Sequence, residues 1–218
     1  MKHCDRSFLR LLRGRDLEQL DSHKGAIFGL WSEGRLAALN QAWFRFAEEN
    51  GGQPQLARDW GLGANVFEAI RGPLRRFYRK AFRNCLREGR PWSHRYECSS
   101  PELLRVFHMK VFPLGASEGL LVVNSLVVEH AHDFGERPVC EPELAHYQDE
   151  DGAIRQCSYC RRVRRTSDER QWDWIPRWVD RSPPESSHVI CGACLDYYYP
   201  NLGCDEPEFA PQCASTSA

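Results

Sequence analysis

Ten of the 218 residues are cysteines, and four of them form two matched pairs: Cys157 and Cys160 in CSYC, and Cys191 and Cys194 in CGAC. A C-x2-C turn suits zinc because it sets two thiolates about 2.3 Å from one ion, and a second pair closes the tetrahedron against water and substrate. Thirty residues separate the pairs, enough for one compact loop to return the second pair to the first. A closed site is structural. Its binding free energy, roughly 10–16 kcal/mol in small zinc peptides, becomes folding energy for a unit too small to build its own core.

The same stretch admits two other readings. A C-x2-C pair with an exposed thiolate of lowered pKa would serve a thiol oxidoreductase. Arg161, Arg162, Arg164 and Arg165 follow the first pair and Trp172, Trp174 and Trp178 lie between the pairs, so a transcription regulator touching DNA phosphates is the other alternative. Asp168, Glu169, Asp173 and Asp180 share that stretch and dilute its positive field. The strip therefore reads as a solvated or protein-contacting face, with the tryptophans forming the core. His188 stands three positions before Cys191, but four thiolates already satisfy zinc, so a packing or supporting role is expected for it. Cys4, Cys85, Cys98, Cys140, Cys204 and Cys213 lack metal-ligand spacing and are not assigned to the site.

The elements that must position these residues follow from periodicity. Residues 5–20 carry Phe8, Leu9, Leu12, Leu17 and Leu20 among charges, which predicts a leading amphipathic helix capped by Asp5. GAIFGLW and RLAALN, joined by Ser32, Glu33 and Gly34, predict a β-hairpin. Asn40 is placed to cap a short helix whose apolar face holds Ala42, Trp43, Phe46 and Ala47 and whose stop is Asn50, Gly51 and Gly52. From Pro73 to Glu88, Leu74, Phe77, Tyr78, Ala81, Phe82, Cys85 and Leu86 recur at helical spacing opposite a face of solvated arginines, and Gly89 ends the helix. WSHRYEC, LLRVFHMKVFPL and GLLVVNSLVVEH predict three further strands. The order β-β-α-α-β-β-β, with short connections after the helices, implies an α+β domain with an antiparallel five-stranded sheet.

Composition supports two folded units. Hydrophobic residues make up 42% and charged residues 27% of the chain, with seven tryptophans, which describes a chain able to bury a core. A net charge of -1 gives no global attraction to nucleic acid or an anionic membrane. The N-terminal residues lack a signal-peptide pattern and no run reaches the roughly 18–20 apolar residues of a membrane span, so a cytoplasmic protein with reduced thiols is expected. The expected organisation is a helix over 1–22, a sensor domain over 23–130, an acidic linker over 131–152, a four-cysteine zinc module over 153–203 and a flexible tail over 204–218. No phosphate-cradling glycine loop and no nucleophile-elbow motif is present, and no residue is assigned a catalytic role.

Two stretches resemble known families. GRLAALNQAWFRFAEENGG, GLGANVFEAI and RYECSSPELLRVFHMKVFPL are similar to segments of bacterial PAS domains, carried by Asn40, Ala42, Trp43, Phe46, Ala47, Asn50, Gly51, Tyr96, Cys98, Ser100 and Pro101. DGAIRQCSYCRRVR and SSHVICGACLDYYYP resemble a zinc module found attached to such domains. The resemblance implies a PAS-like sheet with flanking helices followed by a zinc-ribbon or treble-clef-like module. It further implies a non-catalytic sensory or regulatory protein of signal transduction that binds a small ligand or forms a homodimer and contacts a partner such as a kinase or regulator. Val66 follows Asn65 where flavin-photosensing relatives carry a cysteine, so thiol-adduct photochemistry is not expected. His108, alone in its strand, does not suffice for haem.

Overall fold

The structure is a computed structural model that describes residues 1, 3–49, 59–70, 72–133, 135 and 138–200. The chain divides into two compact units, Met1–His132 and Asp133–Ala218. The expected helix stop at Asn50, Gly51 and Gly52, the tail over 204–218, and Cys204 and Cys213 lie outside the described residues.

The leading segment is not the single helix that periodicity predicts. A two-residue strand β1 (His3–Cys4) is followed by a tight helical turn, Phe8–Leu12, and then by α1 (Leu17–Ser22). The break falls at Gly14, whose φ of 81° lies in the left-handed region that glycine adopts without penalty. Each piece has its own polar start: Asp5 accepts from the Ser7 N–H at 2.8 Å, and Asp16 accepts from Glu18 and Gln19 N–H at 3.0 and 2.9 Å.

The hairpin forms as expected from β2 (Ile27–Trp31) and β3 (Leu36–Leu39), turning at Gly34. Three more strands follow the helices: β4 (Trp92–Glu97), β5 (Leu103–Leu114) and β6 (Gly119–Ala131). The sheet runs β1-β3-β2-β6-β5-β4, every neighbour antiparallel. This is the expected α+β arrangement, an antiparallel sheet with flanking helices, with one strand more than the five expected. The addition is β1, where Cys4 pairs with Ala38; two residues are too few for alternation to show in a sequence.

Both faces of the sheet are covered. On one side Phe8 and Leu12 pack against Ile27, Ala37, Ala38, Leu114 and Leu121. Gly29 and Gly119 make this possible, since a Cβ at either position would run into the Phe8 ring. On the other side lie α2 (Gln41–Glu49), a turn at Val66–Glu68 and α3 (Gly72–Glu88). Tyr78, Ala81, Phe82, Cys85 and Leu86 of α3 close the core over Phe28, Leu30, Val111 and Val122, and Gly89, at φ 62°, ends the helix.

Asn40 joins these parts. Fully buried, its Oδ1 accepts from Ile27 N–H at 2.9 Å and Trp43 N–H at 3.1 Å, while its Nδ2 donates to the Gly25 carbonyl at 3.0 Å. It is thus the cap of α2, as the sequence predicts, and also the link from that helix to β2.

The second unit has a four-stranded sheet. The strands β7 (Ile154–Cys157), β8 (Val163–Arg164), β9 (Trp172–Asp173) and β10 (Ser186–Val189) are ordered β10-β7-β8-β9, with β10 parallel to β7. Three short helices complete it: α4 (Leu144–Tyr147), α5 (Pro176–Asp180) and α6 (Gly192–Tyr198). The expected linker over 131–152 is corrected in its later part. Val139 bridges to Trp174, and Tyr147 is buried with Ile154, Val163, Ile175 and Trp178. Acidic neighbours masked that aromatic anchor in the sequence.

Two outcomes test the first unit. Asn40→Ala leaves the Ile27 N–H without its acceptor, while the Trp43 N–H keeps the Asn40 backbone carbonyl at 3.2 Å, and should lower stability by about 1–3 kcal/mol in urea unfolding, with Asn40→Asp, which keeps the acceptor, falling between. His94 of β4 stacks on Trp92 at 5.7 Å and faces Phe77 at 5.4 Å. Burial, and secondarily His108, lowers its pKa from 6.5 to about 4. The unfolded chain therefore binds more protons than the folded one between those values, and stability should fall as pH drops through that window. His94→Phe should flatten the slope measured in urea titrations across it; an unchanged slope would assign the acid loss elsewhere.

Candidate functional site

The first unit encloses a cavity of about 720 Å³ between α2 and the sheet, within the range of small-molecule sites. Its wall draws on Phe28 of β2, Tyr96 of β4, Phe107 and Met109 of β5, Asn124 and Leu126 of β6, and Trp43 and Phe46 of α2. The rings interlock: Phe28 meets Trp43 edge-on at 5.2 Å, Phe46 meets Phe107 at 6.2 Å, and Tyr96 stacks on Phe107 at 5.6 Å. Polar groups are few and fixed. Tyr96 donates to Asn124 Oδ1 at 3.0 Å, and Asn124 Nδ2 donates to the Ala26 carbonyl at 3.2 Å. Burial holds the Tyr96 phenol well above its ordinary pKa, so it stays a neutral donor.

Sequence periodicity had placed Trp43 and Phe46 only on an apolar helix face and left the cavity-lining residues unassigned. One signal was present: Asn124 interrupts the apolar run GLLVVNSLVVEH, and it is buried. A polar side chain inside a buried strand must have partners.

In the second unit the four predicted cysteines come together. The sulfurs of Cys157, Cys160, Cys191 and Cys194 all lie within 4.8 Å of one another, and each residue is at most 6% exposed. The first pair sits on the turn after β7, where Cys157 N–H donates to the Arg162 carbonyl at 2.8 Å and Arg161 takes a φ of 62°. The second pair opens α6, with Cys194 N–H directed at Cys191 Sγ at 3.4 Å; Cys191 N–H reaches Cys157 Sγ at the same distance. A pair on a turn and a pair on a helix start is the treble-clef-like alternative of the two expected.

The donor set fits a tetrahedral metal ion. Four sulfurs about 2.3 Å from one centre would lie about 3.8 Å apart, and Cys160 Sγ is 3.7 Å from Cys191 Sγ, far beyond the about 2.05 Å of a disulfide. The protonation pattern points the same way. Hydrogen bonds from Cys160, then Cys191 and Cys194, hold the Cys157 thiol far below its ordinary pKa, and the bond with Cys157 pushes Cys160 and Cys194 up. Cys191 is lowered as well, so two of the four favour the thiolate and two the thiol, a mutual constraint that a bound cation would relieve.

The remaining assignments can be placed. His188 is exposed on β10 and is not one of the four clustered ligands. Cys85 is buried in the helix core, while Cys4, Cys98 and Cys140 are half-buried and outside the cluster. Trp174 and Trp178 are buried, as expected of core residues. In the arginine strip, Arg164 pairs with Glu169 at 2.9 Å and Arg165 with Asp173 at 2.7 Å. Sequence reasoning missed Gln156, which is 1% exposed and donates to the Arg161 and Trp178 carbonyls, each at 3.1 Å, tying the cysteine turn to α5. Among the described residues no helix is long and apolar enough to cross a membrane.

No protein-family model and no curated protein matches the chain. Among solved structures it is similar to the PAS domain of BvgS from Bordetella pertussis, at 18% identity over 57% of this chain and 89% of that one, with a TM-score of 0.41. It is also similar to the photoactive yellow protein domain of the sensor histidine kinase Ppr from Rhodospirillum centenum, at 13% identity over 52% of this chain and 95% of that one, TM-score 0.35. A third is the PAS domain of the quorum-sensing receptor RpfR from Cronobacter turicensis in complex with BDSF, at 18% identity over 49% and 97% of the two chains, TM-score 0.33. These values describe a loose likeness of fold.

Proposed function

We propose that the chain is a non-catalytic sensory or regulatory protein of signal transduction. Its first unit receives a small ligand and associates as a homodimer, and its second unit is a structural zinc module that presents a surface to a partner such as a kinase or regulator. The observation that carries this reading is the cavity of about 720 Å³ walled by Phe28, Trp43, Phe46, Phe107 and Met109, an apolar site with few polar groups of the kind small molecules occupy. Zinc is supported by four buried thiols in one tetrahedron-sized space. Beyond Asn124, β6 pairs only with β5 and exposes Leu126, Val127 and Val128, which supports association there. The leading segment, whose Phe8 and Leu12 are buried against its own sheet, is not free to serve as that contact.

Two readings have less behind them. A thiol oxidoreductase needs an accessible thiolate, and the four cysteines are buried. A DNA-binding role needs free cations on phosphates, and Arg164 and Arg165 are paired with acids of their own unit.

Native and denaturing mass spectra of the full chain purified from cells test the proposal together. The expected native spectrum is a dimer carrying one zinc per chain and a small non-covalent mass. Cys157→Ser and Cys194→Ser should each lose the zinc on dialysis and leave residues 139–200 open to limited proteolysis, while the first unit stays resistant. A metal-free chain with reversible disulfides would overturn the zinc module, and a ligand-free monomer would overturn the sensory reading.

A further inference from the structure

The cavity wall carries a charge pattern that defines a class of ligand. Four charged side chains border the apolar space: Lys24, Arg45, Arg105 and Glu129, three cations against one anion. Glu129 accepts from Arg105 Nε at 2.8 Å, which leaves that guanidinium further donors on its planar fork. Arg45 is held by a single bond among the described residues, from its Nη2 to the Lys24 carbonyl at 3.2 Å. Glu129 offsets Arg105, so the net positive charge rests on Lys24 and Arg45, with the donors of Arg105 that Glu129 leaves open beside them.

Trp43 adds shape, not a donor: its ring lines the cavity and packs against Phe28, while its indole Nε1 is shut away from that space and has no hydrogen-bond partner among the described residues.

We propose that this cavity binds an amphipathic organic anion: an apolar body against Trp43, Phe107 and Met109, with a carboxylate at the basic rim that Arg45 and Arg105 supply. A monoanion fits better than a phosphate dianion because Glu129 stands beside Arg105 and repels the second charge. The apolar wall supplies most of the contact area and the guanidiniums select the charged end. This inference rests on the sensory reading of the first unit and narrows it to a ligand chemistry.

The test is isothermal titration of the full chain with matched probes that differ only at the head group: decanoate against decanol, and naphthylacetate against naphthylacetamide. Each acid should bind about tenfold more tightly than its neutral partner, the return on one charge-assisted hydrogen bond. Arg45→Gln and Arg105→Gln should each cut the affinity for the acids by about tenfold and leave the neutral probes within about threefold. Glu129→Gln removes the opposing charge and should strengthen binding of the acids alone, an effect that loss of packing cannot mimic. Trp43→Phe should weaken acid and neutral probes alike. Equal affinity for acid and neutral probes, or Glu129→Gln weakening the acids, would overturn the anion assignment and leave the cavity reading standing. Failure of every probe to bind a chain with an intact unfolding transition would overturn both.

Discussion

One buried carboxamide holds the first unit to its shape. Asn40 offers its oxygen to two backbone N–H groups on different elements, Ile27 at the start of β2 and Trp43 in the first turn of α2, and its nitrogen to the carbonyl of Gly25 between them. The Ile27 N–H would otherwise be buried without a partner, at a cost of about 1–3 kcal/mol, whereas the Trp43 N–H also reaches the Asn40 backbone carbonyl at 3.2 Å. The same three bonds decide where the cavity lies. They fix the His23 to Ala26 loop and the α2 residues Ala42, Trp43, Arg45 and Phe46, which together form much of its wall. An aspartate could not supply the donor, and a serine could not reach all three groups, so the residue type follows from the geometry.

The second unit obeys a different constraint. It has an apolar cluster of Tyr147, Ile154, Val163, Ile175 and Trp178, but its two cysteine pairs sit on separate elements, a turn after β7 and the start of α6. The parallel pairing of β10 with β7 sets Val189 opposite Cys157 and so delivers the second pair to the first. Gln156 completes the arrangement from the strand side by satisfying carbonyls of the turn and of α5. Packing can bring four sulfurs this close, but only a cation lets them all ionise there, because like charges in a buried space raise one another's pKa.

How much of this was legible in the sequence depended on how local the physics is. The cysteine pairs, the Gly34 turn, the Asn40 cap and the α3 stripe ending at Gly89 are each written within a few residues, and each is found where periodicity and turn chemistry placed it. The leading helix failed because amphipathic spacing ran through Gly14, and a single left-handed residue outweighed the pattern. The linker failed at its later end because one aromatic anchor, Tyr147, lay in an acidic setting. Of the cavity only Asn124, a polar break in an apolar strand, was legible. Tyr96, Phe107 and Asn124 are neighbours only because β4, β5 and β6 pair in one register, with Tyr96 opposite Phe107, and a two-residue spacing within a strand says which face a side chain takes but not what stands across from it.

Arginine shows the same limit in another form. The chain nets -1, and the arginines along α3, those after Cys160 and the scattered Arg45 and Arg105 look alike in the sequence. Their surroundings make them unlike. On α3, Arg76, Arg83 and Arg87 face solvent, the ordinary complement of an apolar stripe. In the second unit Arg155, Arg164 and Arg165 each meet a carboxylate of their own unit, Asp149, Glu169 and Asp173. Tyr147 also donates to Asp173, at 2.9 Å, so Arg165 belongs to a buried network and not to a surface field. At the cavity Arg45 is exposed and Arg105 meets Glu129 at 2.8 Å, and both border an apolar space. Charge counted along a chain measures supply; the distance to the nearest carboxylate, and the water excluded around it, decides what that charge can hold.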